Sequence, residues 1–323
     1  MKAVRFHAFG GPDVLRWEEV PDPEVGPADV LIRIAAAGVN FSDLMRRAGT
    51  YNPELPLPHG EGVEAAGTVE RVGAEVQGPK PGDRVFVMLG QRCQAELVVA
   101  PEPLVFPAPP DFSLEEAAAL PLAALTAYHL LRTGAQVKPG ESVLIHAAAS
   151  GVGTLAVQLA KLWGARVFAT ASTDEKLAAV RALGADETIN YARDSFVTAV
   201  LARTENRGVD VVLECVGGEV LAQSAKALRP GGRLLVYGRA SGDPGSIAGD
   251  VILTRNLSVL GLHLGRRPWR ADMHRDAFVE IIQLAAQGRL KPVVGKSFRM
   301  SEVARAHAYV AGRGATGKTL LVP

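Results

Sequence analysis

The segment from Ser142 to Thr170 constrains this chain more than any other. An apolar run of strand length, Ser142-Val143-Leu144-Ile145, leads into the turn Ala148-Ala149-Ser150-Gly151-Val152-Gly153, then a helical pattern, then a second apolar run, Ala165-Arg166-Val167-Phe168-Ala169. Val152, Leu155, Ala156, Leu159, Ala160 and Trp163 recur at helical spacing, so the spacing predicts a helix with one face against a sheet. A strand that is apolar on every residue has no side for water, which demands cover on both faces of that sheet.

The pattern continues for another hundred residues. Glu187-Thr188-Ile189, Val209 to Leu213, Arg233 to Tyr237 and Leu257 to Leu260 read as further strands separated by helical stretches. Such alternation predicts a doubly wound parallel sheet. Residues 1 to about 120 differ, with Val30 to Ile34, Gly67 to Val72, Arg84 to Val87 and Glu96 to Val99 as short strands broken by Pro and Gly, which predicts a compact β unit. After the parallel pattern come an amphipathic helix over Met273 to Gln287 and a closing strand, Lys318 to Val322. The expected organisation is a β-rich domain over 1–122, an inserted α/β domain over 123–265, and a segment 266–323 that completes the first domain.

Composition excludes several classes. With 35 Lys and Arg against 34 Asp and Glu, the net charge of +1 provides no field to attract nucleic acid or an anionic membrane. Two cysteines, Cys93 and Cys215, are too few for a disulfide framework or a four-thiolate zinc site, and they fit a reduced cytoplasmic setting. Cys215, ending an apolar strand, reads as a packed core thiol, while Cys93 is open to oxidation if exposed. The N-terminal residues alternate like a strand, and nothing in them marks the chain for export. The most apolar stretch, Ala117 to Leu131, contains Pro121 and is shorter than the roughly 20 residues a spanning helix needs.

The small residues of the turn stand where a dinucleotide-binding turn needs them. Ser150 and Gly151 let backbone approach a pyrophosphate, Gly153 permits close packing of helix on strand, and the helix N-terminus supplies N–H groups and a favourable dipole. Ala148 and Ser150 replace the first two glycines of the usual fingerprint, so the turn alone also fits an ordinary strand-to-helix connection. NAD-binding versions place an acid at the end of the second strand, roughly 20 residues past the turn, to hold the ribose hydroxyls. This strand ends Ala169-Thr170-Ala171-Ser172-Thr173, and Ser172, Thr173 and Lys176 instead offer two hydroxyls and a cation to a 2′-phosphate. The expected cofactor is NADPH, although Asp174 and Glu175 bring negative charge nearby.

Several motifs together resemble the quinone oxidoreductase, or zeta-crystallin-like, branch of the medium-chain dehydrogenase/reductase superfamily. They are Ala37-Gly38-Val39-Asn40-Phe41-Ser42-Asp43, Gly60-Glu61-Gly62-Val63-Glu64-Ala65-Ala66-Gly67-Thr68-Val69, Pro81-Gly82-Asp83-Arg84-Val85, the turn at Ala148 to Gly153, and Gly184-Ala185-Asp186 with Ile189-Asn190-Tyr191. The resemblance covers essentially the whole chain. It implies a chaperonin-10-like β-barrel domain followed by a Rossmann domain that binds NADPH. It further implies that Lys176 and Tyr191 contact the adenosine phosphate, that Thr126 lies by the cofactor, and that Gly238 and Arg313 lie close to it. Zinc-dependent relatives carry a metal-binding Cys and His at the positions resembling Asn40 and Val63, and a four-cysteine lobe where this chain has Cys93 alone. Metal-free chemistry is therefore expected.

Without a Lewis acid the acceptor must already be electrophilic, as quinones and activated alkenes are. Asn40, through its amide, and Tyr51, as an aromatic platform with a hydroxyl, are the expected catalytic residues, and Asn40 also borders the cofactor. His59 is a possible proton donor because its ordinary pKa lies near neutrality, although a lone loop histidine is more often without a catalytic role. The leading expectation is NADPH-dependent reduction of quinones. An enoyl or alkenal reductase on the same scaffold, and a non-catalytic RNA-binding or structural protein, are the rival readings. Asn256 to Leu262 forms an apolar strand at the end of the parallel pattern, where the resemblance implies pairing in a homodimer.

Overall fold

The computed structural model describes residues 1–265 and 271–323, which form two units: Met1–Ala123 with Lys291–Pro323, and Ala124–Leu290.

The first unit is built on a long central strand, Asp29–Val39, whose residues are mostly buried. Glu64–Val72 and Leu97–Pro101 pair with it antiparallel, and Arg84–Met88 and then Val105–Pro107 extend the sheet beyond Glu64–Val72. On the other side, Lys318–Val322 pairs antiparallel with the end of the same strand, Thr319 opposite Val39 and Leu321 opposite Ala37, and Val294–Arg299 joins it in parallel. The tail thus inserts its own buried residues, Leu320 and Leu321, into the first unit. A smaller sheet of Leu15–Glu19, Lys2–Phe6 and His59–Gly60 completes the unit. Val4, Phe6, Ile32, Val85, Val87 and Phe298 meet in its core.

The second unit holds six parallel strands in the order Glu187–Asn190, Arg166–Ala171, Ser142–Ile145, Val209–Glu214, Leu228–Val236, Ser258–Gly261. This is the Rossmann order, with its reversal between the first and fourth strands in sequence. Val143, Leu144, Ile145, Val211, Val212 and Leu213 are all 0% exposed, as continuous apolar runs require. Helix Gly151–Leu162 buries Leu155, Ala156, Leu159 and Ala160 as the periodicity predicts. Val152 and Trp163 depart from the pattern: both are half-buried, and Trp163 packs edge-on against Tyr128, with the Arg132 guanidinium over its ring.

Helix Ala271–Ala286 corrects the expected boundaries. It was expected to join the first domain, but it belongs to the second unit. His274 Nδ1 lies 3.1 Å from His129 Nε2, Tyr128 donates to Glu280 at 2.8 Å, and Phe278 and Ile281 are buried. Periodicity reveals that such a helix has an apolar face, not which core receives it. The boundary expected after residue 265 falls on residues 266–270, outside those described.

The apolar stretch Ala117 to Leu131 is interrupted at Pro121. It forms the end of helix Leu114–Ala119, then helix Pro121–Tyr128, then a π-helical turn over His129–Gly134. Among the described residues no helix is long and apolar enough to cross a membrane.

Candidate dinucleotide and acceptor sites

In the second unit every expected cofactor residue other than Thr126 follows the carboxyl end of a parallel strand. Ser150 to Gly153 follow Ser142–Ile145, Ser172 follows Arg166–Ala171 with Lys176 in the next helix, Tyr191 follows Glu187–Asn190, and Gly238 follows Leu228–Val236. One edge of one sheet therefore gathers residues far apart in sequence, at the edge where open α/β sheets bind ligands. Thr126 lies in helix Pro121–Tyr128 and is 9% exposed.

The turn is built tightly. Ala147 takes the left-handed conformation at φ 48°, Ala148 N–H donates to Thr170 O, and the Ser150 hydroxyl accepts from Gly153 N at 3.1 Å, capping helix Gly151–Leu162. A Cβ on Gly153 would stand 2.4 Å from Ala147 O and 2.6 Å from the Ala148 Cα, both backbone atoms that cannot swing away. Glycine is needed here for close approach, and helical φ is no obstacle. The N–H groups of the first helical turn have no intrahelical acceptor, which suits a pyrophosphate.

Two buried groups that sequence reasoning missed hold this edge. His146 places Nδ1 3.1 Å from Thr170 Oγ1 and Nε2 3.0 Å from Ser224 Oγ. Because the Ser224 hydroxyl donates to Val220 O, its oxygen accepts from His146, which sets the proton on Nε2. Burial pushes the His146 imidazole down to about 4. Glu214, fully buried at the end of the fourth strand, accepts from Val216 N and Gly217 N at 2.6 and 2.9 Å and so fixes the following loop. Its carboxyl is raised by burial against those two hydrogen bonds.

Asp174, the acid that weighed against a phosphorylated ribose, is engaged. Asn190 donates to its Oδ1 at 3.0 Å, and the Arg193 guanidinium reaches both carboxylate oxygens at 2.8 and 2.9 Å. The Asn190 and Arg193 hydrogen bonds hold Asp174 below the usual carboxylate range. Its charge is therefore locally balanced beside Ser172, Lys176 and the exposed Tyr191.

In the first unit Asn40 opens the short helix Phe41–Arg47, and the Asp43 carboxylate accepts from the Asn40 backbone N–H at 2.8 Å. The Asn40 amide is held on both atoms. Lys318 Nζ donates to Oδ1 at 2.5 Å, and Nδ2 donates to Glu64 Oε1 at 2.9 Å. Tyr51 leaves the same helix, its N–H donating to Met45 O at 3.2 Å and its ring lying under the Arg46 guanidinium at 5.7 Å. Arg46 bridges Asp43 and Glu61, at 3.0 and 2.6 Å, in the interior. The two expected acceptor residues thus flank one short helix, Asn40 capping its start and Tyr51 four residues past its end, beside buried ionic groups. Arg313 lies exposed in the same unit, at φ 55°.

His59 does not suit a proton donor. It is 4% exposed against Phe6, and burial with the nearby Arg46 and Arg92 charges pushes it down to about 4. Cys93 is 0% exposed, its thiol driven far up by burial, so it offers no oxidisable thiolate. Cys215 is half-buried at the end of its strand, and desolvation raises its thiol to about 12.

The positions resembling zinc ligands do not fit zinc. Val63 has no donor atom, and the Asn40 carbonyl oxygen already accepts from a lysine ammonium that is 4% exposed. Among the described residues no group of three or more His, Cys, Asp or Glu is placed to hold a metal ion.

Comparison with known proteins places this geometry. The family described as an alcohol dehydrogenase GroES-like domain matches residues 26–110, and the one described as a zinc-binding dehydrogenase matches residues 151–285. The chain is 36% identical over 324 residues to a quinone oxidoreductase of Pseudomonas aeruginosa, covering 100% of this chain and 99% of that one. It is 38% identical over 334 residues to a 2-haloacrylate reductase of a Burkholderia species, covering 99% and 98%. The Escherichia coli quinone oxidoreductase solved in complex with NADPH superposes with a TM-score of 0.92 at 32% identity, over 100% of both chains. A GroES-like unit joined to a Rossmann unit on one chain defines the medium-chain dehydrogenases/reductases as a class. This chain belongs to their zinc-free quinone oxidoreductase branch.

Proposed function

We propose that this protein is an NADPH-dependent reductase that passes a hydride to a quinone without a metal. The observation that carries the reading is the filling of the Asn40 position by an amide locked between Lys318 and Glu64, which leaves an oriented hydrogen-bonding group where the zinc enzymes have a Lewis acid. Bound NADPH supplies the hydride. Ser150 to Gly153 hold the pyrophosphate, Gly151 and Val152 offering backbone N–H groups while the N–H groups of Ser150 and Gly153 close the turn on Ala147 O and Ser150 Oγ, with Thr126 and Gly238 beside the cofactor and Arg313 close to it. Ser172, Lys176 and Tyr191 hold the 2′-phosphate, and Arg193 screens it from Asp174. Asn40 donates its remaining amide hydrogen toward the oxygen on which negative charge develops, Tyr51 supports the acceptor ring, and solvent provides the proton.

The experiment is to follow NADPH consumption with a panel of quinones against enals, enoyl thioesters and 2-haloacrylates. A strong preference for quinones is expected, whereas a strong preference for an alkene overturns the quinone assignment. The alkene reading has one specific support, the identity to a 2-haloacrylate reductase. We further propose a cytoplasmic homodimer paired through Ser258–Gly261, the edge strand on which Val259 is 41% exposed. Sedimentation as a monomer would refute the dimer.

A further inference from the structure

Lys318 and Glu64 sit on strands that flank opposite sides of Asp29–Val39, so their side chains meet only by crossing that strand. They cross it at Gly38. A Cβ there would stand 2.4 Å from Glu64 Oε1 and 2.7 Å from Lys318 Cε, so the missing side chain is the passage for the ion pair. Both partners are removed from water, at 4% and 0% exposure. Glu64 Oε2 accepts from Leu122 N at 2.6 Å, and Oε1 accepts from both Lys318 and Asn40, so each carboxylate oxygen is used. Lys318 closes the ring by donating to Asn40 Oδ1.

A buried ion pair is weak support for a fold, because desolvating two charges cancels much of their attraction. This one does something an apolar pair cannot. An ammonium on one side of Asn40 and a carboxylate on the other admit a single orientation of the amide, since the flipped form would set NH2 against NH3+ and C=O against a carboxylate. Asn40 is the half-exposed member of the three, and its amide is hydrogen-bonded to both buried charges.

We infer that Lys318 is a positioning residue of the acceptor site, acting with Glu64 through Asn40 to hold one amide N–H toward an acceptor carbonyl oxygen, as a quinone presents. The inference rests on the proposed role of Asn40. The ammonium lies one hydrogen bond behind the amide, on its carbonyl oxygen, where it polarises the group and strengthens the remaining N–H as a donor.

The test pairs Lys318→Met/Glu64→Gln, which removes both charges and leaves no orphaned ion, with Lys318→Arg, which keeps the charge and changes the donor geometry. NADPH affinity is read by calorimetry, and quinone reduction is read as kcat and KM separately. For the double variant, NADPH affinity within twofold of the parent is expected, with kcat reduced about tenfold to a hundredfold, the scale of a misplaced orienting group. Lys318→Arg should recover part of that loss. A folded double variant with kcat and KM both within twofold of the parent overturns the inference. If the double variant does not fold, Lys318→Arg decides alone: a several-fold lower kcat at unchanged NADPH affinity supports the inference, and unchanged kcat overturns it. Asn40→Ala separates the two levels, because a parent enzyme that reduces quinones equally well without the Asn40 amide refutes the acceptor reading itself, while a loss in Asn40→Ala with none in the Lys318 variants refutes only the role of Lys318.

Discussion

The two units bury polar groups of different kinds. Among the described residues the first unit hides Asp43, Arg46, Arg47, Glu61, Glu64 and Lys318, ionisable and mutually paired or close, beside His59, Gln94, His307 and Thr319, whereas the second hides chiefly Thr, Ser, His and Asn, with Glu214 its single buried acid and no buried Lys or Arg among the described residues. A parallel sheet covered on both faces satisfies its own backbone and needs only neutral hydrogen bonds at its edges. The antiparallel unit instead spends desolvation energy on charges around Asn40 and Tyr51, the two residues proposed to meet the acceptor. Buried charge that contributes little to folding is expected where orientation matters more than stability.

The sharpest way to break this contrast is to orphan a charge in one unit and a neutral group in the other. Lys318→Met should cost about 3 to 5 kcal/mol in denaturant unfolding, since it leaves Glu64 buried beside a methyl group. Ser224→Ala, which removes the acceptor of His146 Nε2–H, should cost only about 1 to 3 kcal/mol. Equal costs would dissolve the distinction.

Gly153→Val should lower NADPH affinity by at least about tenfold in calorimetry, because the added side chain meets Ala147 and Ala148 backbone and displaces the helix from the turn. Unchanged affinity would remove the turn from the cofactor site.

One buried group from each unit, His146 and Glu61, should also answer pH with opposite signs. Folded His146 stays neutral until about 4 while an unfolded imidazole protonates near 6.5, so the unfolded state binds more protons between these values and His146 costs stability as pH falls through that window. Folded Glu61 is pushed up to about 7 by burial and by Asp43, so the folded state holds the extra proton and this group costs stability as pH rises from about 4.5 to about 7. Unfolding measured across pH 4 to 7.5 should give Glu61→Gln a steeper rise in stability with pH than the parent, and His146→Gln a shallower one. Parallel profiles for both variants would contradict the assignment.

The smallest effect belongs to the exposed clamp on Asp174. Arg193→Ala should weaken NADPH binding a few-fold and leave NADH binding unchanged, because only the 2′-phosphate feels the uncovered carboxylate. Equal weakening of both cofactors would show that Arg193 serves the loop and not the phosphate.

The strands legible in the sequence were those with uninterrupted apolar runs. Ser142–Ile145 and Lys318–Val322 have the expected limits, and the glycine turn has Gly153 packed on backbone as its small size required. Asn40 was legible through its motif, but Glu64 and Lys318 carried no signal as its partners. They stand 24 and 278 residues from it, and nothing local requires a lysine in an apolar closing strand to point inward. The same holds for Arg193, 19 residues past Asp174, which carries no periodic relation to it. His59 was left open as a possible proton donor because a loop histidine in sequence gives no sign of burial against Phe6.

By itself the sequence determined the classes of structure: where chain must be strand or helix, which runs need cover on both faces, and where only a small residue lets backbone meet backbone. These follow from interactions a few residues long, which periodicity and side-chain volume encode directly. Tertiary structure alone decided which core received helix Ala271–Ala286, which charges were buried together, and which atom of Asn40 faces a cation. Those outcomes depend on chain segments meeting across hundreds of residues, where pairing and desolvation are settled in space and leave no local pattern behind.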